Sequence, residues 1–91
     1  MPAFDKFFQD AINEIPTLSI KMLQDNLIVT KNILSLLLLG VKNIGNDNPK
    51  LLKEIKGYIK ENELYIEATN KEINRKEMEL VKQEIRNLPE K

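Results

Sequence analysis

The stretch NILSLLLLGVKNIGNDNP, Asn32 to Pro49, decides how this chain folds. Its first half is apolar on every side of any helix it could form. Its second half holds the residues that stop one helix and start another. Gly45 suits the position just past a helix end, where the backbone turns left-handed. Asn48 suits an N-cap, and Pro49 suits the first helical position after it. The connection over 45–48 is short, so the flanking helices are expected to be antiparallel neighbours.

Upstream of the turn, Ile20, Leu23, Leu27, Thr30, Leu34, Leu37, Val41 and Ile44 alternate spacings of three and four. That is a heptad-like seam with one polar member. Thr17 or Ser19 can cap this helix, so it is expected over about 18–44. A second set, Ile28, Ile33, Leu36 and Leu39, points elsewhere on the helical wheel. From Ile33 onward the helix is apolar all round, and such a helix is normally buried on all sides.

Downstream, Leu52, Ile55, Ile59, Asn62, Ile66, Thr69 and Ile73 continue a seam at the same spacing, with Asn62 and Thr69 as polar interruptions. The stripe then shifts to Met78, Val81, Ile85 and Leu88. One long helix is expected over about 49–87. Gly57 weakens it by about 1 kcal/mol relative to Ala. Glu67 with Lys71, and Glu72 with Lys76, have the favoured order for i, i+4 ion pairs.

Before the first seam, Phe4, Phe7, Phe8, Ala11, Ile12 and Ile15 form one apolar stripe at helical period, giving a short helix over about 3–15. Pro16 should end it, because the residue before a proline is pushed out of the helical region. No strand pattern, repeat or low-complexity tract interrupts this reading. The fold class is therefore all-α: a short N-terminal helix followed by a long antiparallel hairpin, in a single domain over residues 1–91. The hairpin is expected to be completed into a bundle by oligomerisation.

Composition narrows the chemistry. The 91 residues hold no Cys and no His. Disulfides, zinc sites and haem sites lose their ligands, and no cofactor is expected. The usual general base and thiol nucleophile are missing too, so catalysis is poorly supplied. Ser35 has no His to activate it, and its hydroxyl is expected to bond back to a helical carbonyl. Asp10 with Glu14, and Glu63 with Glu67, read as solvated charged faces. Helical di-metal sites would also need a Glu-x-x-His motif.

Charge narrows the partners. Fourteen basic and fourteen acidic side chains cancel, which argues against nucleic acid. Lys50, Lys53, Lys56 and Lys60 share a side but are interleaved with Glu54, Glu61 and Glu63. The near-apolar run Ile33 to Val41 is nine residues long, whereas a spanning helix needs about 20 apolar residues. A membrane span is therefore not expected. A membrane-surface role led by Phe4, Phe7 and Phe8 stays open, although interfacial helices usually carry more Lys and Arg than Lys6 alone.

The remaining signal is an excess of apolar surface. The first helix is too short to cover all of Ile28, Ile33, Leu36, Leu39 and Val41. The expected function is non-enzymatic association with a second copy or another helical protein. The expected contact residues are Phe4, Phe7 and Phe8, together with Leu27, Leu34, Leu37, Leu38 and Val41 in a shared core. A compact regulator or immunity-type protein that binds one target is the alternative. No secretory signal is evident, so synthesis and residence in the cytoplasm are the default expectation.

One segment carries a resemblance. In NPKLLKEIKGYIKENELYIEATN, Asn48 and Pro49 precede the pair Leu51-Leu52. Glu54 and Glu61 follow, then the pair Leu64-Tyr65 and Ala68. This resembles the start of the second helix in type III secretion needle subunits, whose size and helix-turn-helix layout are also similar. The resemblance implies a subunit exported without a cleaved signal that polymerises helically into a hollow filament. It covers about a quarter of the chain. The family often has a proline where this chain has Asn46, and its end is usually apolar where this chain reads Arg86-Asn87-Leu88-Pro89-Glu90-Lys91. The Phe-rich first helix and the LSLLLL run have no counterpart there.

Overall fold

The computed structural model describes residues 2–89, and the side chains of residues 6–89. Among these residues there is no strand. Helix α1 spans Pro2–Glu14, a 3-10 turn spans Ile15–Thr17, α2 spans Ile20–Ile44 and α3 spans Pro49–Arg86. Each boundary has a local cause. Helix α1 ends at Glu14, and Pro16 lies at the middle of the 3-10 turn that carries the chain toward α2. Ser19, not Thr17, caps α2 by accepting the Met22 N–H at 3.2 Å, while the Thr17 hydroxyl donates to the Glu14 carbonyl. Gly45 sits at φ +57°, in the region that favours glycine. Asn48 Oδ1 accepts the Leu51 N–H at 3.2 Å, and Pro49 opens α3.

Helices α2 and α3 pair as an antiparallel hairpin. Every member of both predicted seams is buried or half-buried, from Ile20 to Ile44 on one helix and from Leu52 to Ile73 on the other. The polar members are satisfied locally. Thr30 and Thr69 donate to the carbonyls of Asn26 and Tyr65, both at 2.7 Å, and Asn62 donates to the Tyr58 carbonyl at 2.8 Å. Across the pair, Asn26 Nδ2 donates to the Tyr65 hydroxyl at 3.3 Å.

The fully dry part of this seam is confined to one end. Ile15, Leu23 and Ile73 form the buried cluster, with Ile12, Leu18, Leu27, Tyr65 and Ala68 packed around it. This is where the 3-10 turn and the end of α1 add a third layer to the two long helices. Lengths explain the rest. At 1.5 Å per residue, α2 is about 37 Å long, α3 about 57 Å and α1 only about 20 Å. Helix α1 therefore covers about half of the hairpin. Helix α3 in turn outruns α2, and every residue from Glu77 to Leu88 is exposed. The result is an elongated body of 70 × 26 × 14 Å.

These placements fix where substitutions register. Leu23, with no exposed surface, is expected to lose about 3 kcal/mol of unfolding free energy as Leu23→Ala. Leu36→Ala, on the outer side of the same helix, should stay within about 0.5 kcal/mol. A Cβ at Gly57 meets nothing within 4 Å, so Gly57→Ala should add about 1 kcal/mol. Urea unfolding of dilute protein, followed by circular dichroism, checks all three.

Candidate interaction surface

Helix α2 carries two rows of apolar side chains. The inner row is the seam against α3. The outer row has no cover: Ile28, Val29, Leu36 and Leu39 are all exposed, Leu36 at 69 %. Ile33 and Thr30 border the groove where Phe8 and Ala11 of α1 lie. Past that groove α1 gives no shelter, and almost none of the most apolar stretch of α2 is buried within the chain. An all-round apolar helix would normally sit inside a protein. Here it is a surface helix, because a two-helix hairpin covers one side and α1 covers only part of another.

The expected contact residues divide between these rows. Leu27, Leu34, Leu37 and Val41 lie in the inner seam and pack within the chain. All four are half-buried there, less exposed than the outer row. Leu38 is the one residue of that set outside the seam, at 52 % exposure. It therefore contributes nothing to the hairpin core. The reason is angular: Leu38 follows Leu37 by 100° around the helix and so leaves the seam. The available face is the outer set that the helical wheel separates, Ile28, Leu36 and Leu39, joined by Val29.

On α1, Phe7 is 76 % exposed while Phe8 is half-buried against the hairpin. The side chain of Phe4 lies outside those described. Of the two pairs Leu51-Leu52 and Leu64-Tyr65, Leu52 and Tyr65 are half-buried, whereas Leu51 and Leu64 are exposed.

A polar latch sets the position of α1. Glu72 is buried beside Ile15 and pairs with Arg75, whose Nη2 donates to Oε2 at 3.0 Å. The expected partner Lys76 instead donates to the Pro16 carbonyl at 3.2 Å, tying α3 to the 3-10 turn. The two bonds divide the work: Arg75 reaches Glu72 along α3, which leaves Lys76 free to bridge across. Glu67 and Lys71 do pair as expected, at 3.2 Å, but both are exposed. Such a surface pair contributes little. The hydrogen bond from Arg75 is the main cause that holds the Glu72 carboxyl below its ordinary value, and the Arg75 charge adds to it.

The Ser35 hydroxyl donates to the Lys31 carbonyl at 3.1 Å, as the sequence led us to expect. Among the described residues, no group of three acidic, His or Cys side chains is placed to hold a metal ion. Lys50, Lys53, Lys56 and Lys60 are all exposed along the start of α3. No family model, curated protein or solved structure matches the chain.

The latch gives a pH dependence with a definite sign. Glu72 has a folded value below its unfolded value of 4.5. Its contribution is therefore complete above that value and is lost as pH falls through the lower, folded value. The thermal midpoint should drop on acidification below 4.5, and Glu72→Gln should make that drop shallower. Melting curves of both proteins across the acid range test this.

Proposed function

We propose that the chain is a non-enzymatic association module that binds a second copy of itself through the bare outer face of α2. One observation carries the reading: a 25-residue helix, apolar on nearly every side from Ile33 to Val41, has almost none of its most apolar stretch fully buried within its own chain. Contiguous exposed apolar surface on this scale marks an interaction site. A thin core and a net charge of zero both favour association. The missing His and Cys leave packing, not bond chemistry, as the activity. A needle-like filament subunit is the named version, supported by the resemblance over residues 48–70 and by the hairpin layout.

A specific observation also favours a second reading. Helix α2 as a whole is long and apolar enough to cross a bilayer, although the strictly apolar run inside it is not. The nine-residue count missed this, because Lys31 and Lys42 divide a longer hydrophobic stretch. Its length of about 37 Å exceeds the 30 Å hydrocarbon core. Against insertion stands Lys31 near mid-helix, since a cation at bilayer depth costs about 3 kcal/mol. The inner seam, already matched to α3, would also have to be given up.

Light scattering over a concentration series separates these readings. Under the association reading, mass rises with concentration, and Leu36→Asp with Leu39→Asp returns the protein to a monomer of unchanged helicity. A wild type that stays monomeric at every concentration rejects self-association. If that monomer also pellets with phosphatidylcholine vesicles, the membrane reading takes its place.

A further inference from the structure

The hairpin bares a second apolar patch far from the first. Met78, Val81 and Ile85 recur at spacings of three and four along the part of α3 that outruns α2, Leu88 follows just past the helix end, and all four are exposed. We propose, resting on the self-association reading, that copies join head to tail, with this overhang of one copy lying on the outer α2 face of the next.

Three features point to unlike patches meeting rather than like ones. First, the patches are similar in length. The helical overhang over residues 77–86 is about 15 Å long, and the bare run of α2 over residues 28–39 is about 18 Å long. Second, they differ in charge. Helix α2 carries Lys21, Lys31 and Lys42 against Asp25 alone. The overhang carries Glu77, Glu79 and Glu84 against Lys82 and Arg86. By helical period Glu77 and Glu84 share one flank of the overhang stripe, and Lys31 and Lys42 share one flank of the α2 face. Antiparallel joining of α2 to α2 would set lysine flank against lysine flank, and antiparallel joining of overhang to overhang would set glutamate flank against glutamate flank. The mixed pairing sets opposite signs against each other. Third, the two patches cannot meet within one copy. The bare part of α2 lies alongside the turn-proximal half of α3, and the overhang begins beyond the opposite end of α2.

A contact of this kind does not use itself up. The joined particle still offers one free patch of each type, one at either end, so growth continues unless the rotation closes a ring. Patches this short bury less than the ~800 Å² per partner of a standard interface. Single joints are therefore weak, and assembly depends steeply on concentration.

Two variants separate this geometry from any other self-association. Val81→Asp with Ile85→Asp removes the overhang stripe and keeps the α2 face. Leu36→Asp with Leu39→Asp removes the face and keeps the stripe. All four positions are exposed, and circular dichroism confirms that each variant is folded. Each variant alone should be monomeric at concentrations where the wild type associates, and their equal mixture should give a particle of two chains that grows no further. Association of either variant alone to the wild-type extent would overturn head-to-tail joining in favour of like-with-like contact. A mixture that stays monomeric while the wild type associates would also overturn it, leaving the broader association reading intact. A monomeric wild type would reject both.

Discussion

Two helices packed side by side can each cover only one side of the other, and a third element must supply the rest of a dry core. In this chain that element is 13 residues long and the helices it serves are two and three times longer. The dry core therefore forms only where all the layers overlap, at Ile15, Leu23 and Ile73. Toward the turn, the same seam continues with the same spacing but is only half-buried. The exposed face of α2, the overhang of α3 and the elongated shape all follow from this mismatch in lengths.

The seam is made specific by its polar members as well as its apolar ones. Thr30, Asn62 and Thr69 occupy positions that leucine would fill more favourably. Their side chains bond to carbonyls one turn back along their own helices, so burial leaves no lone donor. The Asn26–Tyr65 bond crosses between helices and works only in one register. At the open end, the Lys76 bond to Pro16 ties the 3-10 turn to α3, while Arg75 pairs with Glu72 within α3. These contacts direct α1 along the groove rather than away from it, and so fix which part of α2 remains bare.

The distribution of charge fits a surface used for association. The half of the chain before Pro49 carries nine charged side chains, and the remainder carries nineteen. Solubility of the hairpin thus rests mainly on α3, while α2 presents aliphatic side chains to solvent. The overhang combines both characters, an apolar stripe bordered by glutamates on one flank. A molecule with unlike patches at separate places has the prerequisites of directional assembly, which a single self-complementary patch lacks.

The local pattern determined a great deal. Alternating spacings of three and four identified every residue of both seams, because the periodicity of a helix dictates which side chains share a face. Gly45, Asn48 and Pro49 marked the turn, since each suits a backbone state that few residues tolerate. Ser35 was legible for the same local reason. What the pattern could not decide was coverage. Phe7 and Phe8 both belong to the apolar stripe of α1, yet one is exposed and the other half-buried. The Glu72 carboxylate pairs with Arg75, while Lys76 bonds to Pro16, 60 residues away, a contact the local pattern does not contain. Burial is a property of what lies across from a side chain, and only the tertiary arrangement specifies where the short first helix stops and how far the third helix runs on.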